Sequence, residues 1–150
     1  MDKVSTYLVQ LSPYAIKELE VIRDILTEIL AYTQKSFHSR DIEAAKHIEP
    51  LEQVVDDMID IMRSNHLSRL REGKCDITTG TTFLDILSNV ELISDVCSNI
   101  GFATIARVLE DANEAHSYAA TLHKGEDSWY NEQYEKERET YLTKLQKINI

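Results

Sequence analysis

Apolar residues along this chain recur at spacings of three, four and seven, the pattern of helices that bury one face. From Pro13 onward the series is Ile16, Leu19, Ile22, Leu26, Ile29, Leu30 and Phe37. Ser12 before Pro13 reads as an N-cap with proline at the first helical position, where no backbone N–H is needed. This predicts a first helix over residues 12–37. After the polar break "HSRDI" a second series runs Ile48, Leu51, Val55, Met58, Ile59, Met62, His66 and Leu70. It predicts a helix over 41–72. Pro50 inside it removes one backbone hydrogen bond and crowds the preceding turn, so either a kink there or a helix start near Glu49 is expected.

A third series opens around Thr82 with Phe83, Ile86, Leu87, Val90, Ile93, Cys97 and Ile100, and predicts a helix over 81–123. Leu84, Leu92, Val96 and Phe102 fall off its stripe, so this helix is apolar on several faces. That is the expectation for the most enclosed helix of a bundle. Gly125 ends it. A highly charged fourth helix, predicted over 126–147, packs through Trp129, Tyr130, Tyr134, Tyr141, Leu142 and Leu145. No strand pattern competes. The expected fold is all-α, one antiparallel bundle of four long helices spanning residues 1–150.

Composition narrows the picture. Only 4 Gly and 2 Pro occur among 150 residues, which favours a few long elements. A formal net charge of -10 repels phosphate backbones and anionic lipid heads, so no nucleic-acid partner is expected. Cys75 and Cys97 have neither zinc-site nor disulfide-framework spacing and read as reduced thiols of a cytosolic protein. No apolar run reaches the roughly 18–20 residues that span a bilayer, and the N-terminus lacks a signal-peptide pattern. The chain reads as soluble, either free-standing or as a piece of a membrane protein whose spanning part lies outside it.

The candidate chemistry is acidic. Glu91 and Asp95 lie four residues apart on the third helix, and Glu52 and Asp56 repeat that spacing on the second. Each pair occupies neighbouring turns of one helix face beside an apolar stripe. Carboxylates moved into a low-dielectric interior cost several kcal/mol each, by order of magnitude, unless paired or neutralised. Three neutralisers are open: a bound cation such as Mg, Mn, Fe or Zn, for which carboxylates are hard oxygen donors; a basic side chain, with Arg63, Arg69, Arg71 and Arg107 available; or simple exposure to water.

The stretch from His47 to Gly101, with "IEPLE", "NHLSRL", "REGKCDITTG", "FLDILSNVE" and "CSNIG", resembles the PhoU-like domain at the cytosolic C-terminus of bacterial sodium/phosphate cotransporters. "GEDSWYNEQYEKERETY" is similar to that domain's charged tail, and "LVQLSPYAIKELE" to the segment joining it to the transmembrane part. The resemblance implies a helical, non-enzymatic regulatory domain of sodium-coupled phosphate transport, lying at the inner face of the cell membrane. Its implied partner is a membrane-embedded phosphate transporter part, in cis or in trans. It also implies metal ligands at Glu52, Asp56, Glu91 and Asp95, in the positions of the family's repeated acid-x-x-x-Asp motif. Leu92 and Ser94 stand where the family often has Arg and Gly. Full-length PhoU has two bundle repeats and this chain one, so a homodimer is a further expectation.

Other residues read as structural. His66 lies on an apolar stripe and reads as a core histidine. Asn99 reads as an interhelical amide, Asp60 as solvated, and Cys97 as a small core residue. Two alternatives to the regulatory reading stay open. One is a structural adaptor without metal. The other is a di-metal carboxylate enzyme, against which stands the lack of any Glu-x-x-His pair of the ferritin-like kind.

Overall fold

The structure, a computed structural model, describes residues 11–109 and 112–148. Helix α1 spans Pro13–Ser39, α2 Ile42–Arg71, α3 Ile77–Leu109, α4 Ala112–His123 and α5 Ser128–Gln146. No strand occurs among the described residues, and the all-α expectation holds. The helix starts follow from local capping. Ser12 Oγ accepts from the Ala15 N–H at 3.1 Å, Asp41 from Ala44 at 3.1 Å, Asp76 from Thr79 at 2.8 Å and Asp127 from Tyr130 at 2.8 Å. Each cap satisfies an otherwise orphaned donor in the first turn. The Asp76 cap starts α3 four residues earlier than the sequence predicts. Helix α2 begins at Ile42 and runs through Pro50, so the alternative of a start near Glu49 fails.

The predicted single helix over 81–123 is replaced by two, α3 and α4, and residues 110 and 111 lie outside the described part of the chain. The two are not collinear. A straight helix would separate Phe102 and Tyr118 by about 24 Å, yet their ring centroids are 6.4 Å apart. Helix α4 therefore lies back on α3, where Tyr118 packs near Ala45 and Ile105. The four-helix count of the sequence reading becomes five among the described residues.

Helix α2 is the enclosed element. Ile48, Leu51, Val54, Val55, Met58, Ile59 and Met62 are all buried, and α1, α3 and α5 pack around them. The sequence reading gave that place to the third helix, and the structure corrects it: Leu92, Ile93 and Val96 of α3 are exposed. One polar pair crosses the core. Arg69 Nη2 lies 2.7 Å from Glu18 Oε1, and both side chains are buried. Asn65 donates to the other Glu18 oxygen at 2.9 Å. His66 is buried as expected, its ring 5.4 Å from that of Phe83. Gly80 leaves the room: a Cβ there would sit 2.7 Å from the imidazole.

By length and composition α3 is apolar enough to cross a bilayer, contrary to the absence of any such run in the sequence reading. It nonetheless packs Phe83, Leu87, Val90 and Cys97 against the core formed with α1 and α2.

Candidate metal centre

On α2, Glu49, Glu52 and Asp56 follow one another at i, i+3 and i+7, one continuous face of a helix. That face looks at α3 where Asp95 and Ser98 project. Carboxylate oxygens of Glu52, Asp56 and Asp95 all lie within 4.8 Å of one another. Glu52 is buried, Asp56 half-buried and Asp95 exposed, so the cluster is a ramp from the core to the surface. Glu49, one turn earlier, is buried and accepts from Ser98 Oγ at 2.6 Å.

Of the four acids predicted as ligands, three meet and one does not. Glu91 turns to Arg63, which donates to both its carboxylate oxygens at 2.8 and 3.2 Å. A basic residue thus neutralises Glu91, the second of the three neutralisers the sequence left open, and among the described residues no ion pair serves the other three. Sequence reasoning missed Glu49 and Ser98. The signal for Glu49 was present, since it stands three residues before Glu52 and therefore shares its face.

The electrostatics are one-sided. Burial pushes the Glu52 carboxyl up to about 9, reinforced by the negative charges of Glu49 and Asp56 and by a hydrogen bond that Glu52 in its protonated form gives Asp56. Asp56 is also raised, by burial and by Asp95, Glu91 and Asp57, against the lowering effect of the Glu52 hydrogen bond. The charged neighbours that raise these two groups are all acids. Two phenols close the deep side. Tyr118 and Tyr130 are both raised, first by burial and then by nearby acids including Glu49. The Tyr118 hydroxyl is buried without a hydrogen-bond partner among the described residues.

These residues fit a hard cation. Three carboxylates converge from two helices with no cationic side chain among them, and oxygen-rich sets of this kind suit Mg, Mn, Fe, Zn or Ca. Two ligands of one ion are at most twice the metal–oxygen distance apart, about 4.2 Å for Mg or Mn and about 4.8 Å for Ca. The spread of up to 4.8 Å matches the Ca limit, and a contraction of a few tenths of an ångström reaches that for Mg or Mn. Without an ion, the same oxygens repel one another, and Glu52 relieves the repulsion only by keeping its proton.

A small cavity beside Arg69, lined by Ser12, His66, Cys75 and Thr79 together with the apolar Leu11, Ala15 and Phe83, measures about 10 Å³. That is close to the space one water requires, so the spare guanidinium donors of Arg69 face no pocket for a larger anion.

Fold and site together define an all-helical bundle in which two packed helices bring three carboxylates together. The sequence model of the PhoU domain matches residues 19–104, more than half of the chain, and the chain belongs to that family. The match covers most of α1, all of α2 and α3 as far as Thr104, so it contains every member of the acid cluster. Neither curated proteins nor solved structures provide a match.

Proposed function

We propose that this chain is a non-enzymatic regulatory domain of sodium-coupled phosphate transport, acting at the cytosolic side of a membrane-embedded transporter part and responding to a cation held by Glu52, Asp56 and Asp95. Membership in the PhoU family supports the phosphate-related regulatory role. The resemblance of the loop "REGKCDITTG" and the tail "GEDSWYNEQYEKERETY" to the cotransporter-linked form supports the transporter context. The observation that carries the cation reading is the convergence of three carboxylates within 4.8 Å, none of them in an ion pair among the described residues.

The chemistry is binding rather than turnover. A divalent or ferric ion would supply positive charge to the cluster and hold α2 and α3 at a fixed distance there. Glu52 must release its proton for the ion to enter, which ties occupancy to pH. Asp95 is the entry group because it is the exposed member. Glu49, held by Ser98, sits behind the ligands and strengthens their attraction for a cation.

The test uses phosphate uptake by cells carrying the gene in its natural context. Glu52→Gln, Asp56→Asn and Asp95→Asn together are expected to release uptake from its dependence on phosphate supply, with protein level unchanged. Uptake that is regulated as in the parent strain would remove the cation from the regulatory account.

A further inference from the structure

The outer face of α3 has no partner among the described residues. Leu92, Ile93 and Val96 are exposed to 61%, 40% and 47%, and Asn89, Asn99 and Ala103 share their exposure. On a helix of 3.6 residues per turn all six lie within about 60° of the direction of Val96. Asp85 stands eleven residues before Val96 and Arg107 eleven after it, about 16 Å along the axis on either side and within about 20° of the same direction. Both are exposed. Among the described residues neither forms an ion pair.

This face is complementary to itself. A two-fold axis through Val96 lays a second α3 antiparallel on the first. Asp85 then opposes Arg107 of the second copy, Leu92 opposes Ile100, Asn89 opposes Ala103 and Ile93 opposes Asn99. A parallel arrangement would set Asp85 against Asp85 and Arg107 against Arg107, so the charges select the antiparallel one. A groove of about 130 Å³ lies beside the face, lined by Phe37, Ile100, Ala103, Arg107 and Val108 among others. At that level the second copy presents Leu92, a knob of the right chemistry for an apolar hole. We propose that two copies of this chain pair through α3, antiparallel, about an axis at Val96, with each Leu92 seated in the other's groove by Phe37.

A lipid surface fits this face less well. Its polar members on α3 are Asp85, Asn89 and Asn99, its cations are Arg107 and, in the groove, Arg40, and the chain carries a net charge of -10, whereas membrane-surface helices are strongly basic. The face is also separate from the acid cluster, since Asp95 points about 100° away from Val96. The pairing therefore stands or falls independently of the cation reading.

Sedimentation equilibrium of the whole chain is expected to show a monomer–dimer equilibrium. Asp85→Arg or Arg107→Asp alone should weaken it at least about tenfold, and the two together should restore it to within about threefold. All three variants should keep the parent's helical circular dichroism, because both positions are exposed. A Val96→Cys variant in a Cys75→Ser background should form a disulfide-linked dimer on oxidation, since a residue on the axis meets its own copy, and Cys97 is buried. Three results would overturn the proposal: a monomer up to millimolar concentration, whether or not it floats with phosphatidylcholine vesicles; a dimer indifferent to both charge reversals; or a dimer whose Val96→Cys form does not cross-link.

Discussion

Arg63 holds Glu91 through both carboxylate oxygens, at 2.8 and 3.2 Å, and so removes it from the acid cluster that its sequence neighbour Asp95 joins. The pair is partly exposed, which limits its contribution to stability to about 1 kcal/mol or less. Its larger effect is electrostatic. Arg63→Met is expected to tighten cation binding by up to roughly threefold, because it leaves Glu91, one turn from Asp95, with an uncompensated negative charge. Glu91→Gln is expected to leave the number of bound ions unchanged. Isothermal titration of both variants with Mn²⁺ or Zn²⁺ decides the matter; an ion lost with Glu91→Gln would return Glu91 to the ligand set.

Stability of the metal-free protein carries the mark of Glu52. Its folded-state pKa is raised to about 9 from an unfolded value near 4.5, so the folded state binds the extra proton between those limits. Stability is therefore greatest at the acid end of that window and falls as pH rises toward 9. Urea unfolding at pH 5.5 and pH 8 should differ in that direction by on the order of 1–3 kcal/mol. Glu52→Gln, neutral throughout, should flatten this dependence and stabilise the metal-free protein at pH 8. An equal or steeper slope in Glu52→Gln would place the titration elsewhere.

The buried pair of Glu18 and Arg69 makes a different prediction. Burial raises the Glu18 carboxyl even though Asn65 and Arg69 both work to lower it, so the charges are held at a cost. Removing one partner leaves the other uncompensated. Arg69→Met or Glu18→Leu alone should cost about 3–5 kcal/mol, whereas the double replacement should recover most of that loss. Denaturant midpoints of the two single variants and the double supply the cycle, and additive losses would contradict the coupling.

Gly80 is fixed by packing rather than by backbone conformation. It sits inside α3, and a methyl group there would meet the imidazole of His66 at 2.7 Å from two ring atoms. Alanine gains helix propensity of about 1 kcal/mol but must displace a buried ring wedged against Phe83. We expect Gly80→Ala to destabilise by about 1–3 kcal/mol, and His66→Ala in the same chain to reverse much of that loss. A stabilised Gly80→Ala variant on thermal melting would show that the ring moves freely.

The sequence made the helices legible because capping residues and apolar spacing act locally. Ser12 caps α1 as expected, and α2 follows its stripe closely. What was not legible came from tertiary partners. The apolar series in the first helix included Leu30 and Phe37, which are exposed; its buried face instead runs Ala15, Glu18, Ile22, Ile25, Ile29, Thr33 and Ser36. Glu18 can be buried only because Arg69 arrives from another helix, and Thr33 and Ser36 because their hydroxyls donate to main-chain carbonyls of α1. In α3 the apolar letters of Leu92, Ile93 and Val96 implied enclosure, yet nothing among the described residues covers them. At the acid cluster, spacing found Glu52, Asp56 and Asp95. It could not tell that Arg63 reaches Glu91, 28 residues away.

The account turns most directly on metal stoichiometry. The whole chain, stripped with chelator and titrated with Mn²⁺ at pH 8 under native mass spectrometry, is predicted to take up a cation at a specific site. That uptake should disappear when Glu52→Gln, Asp56→Asn and Asp95→Asn are combined and persist in Glu91→Gln. A chain that binds no ion above the level of the triple variant would contradict it.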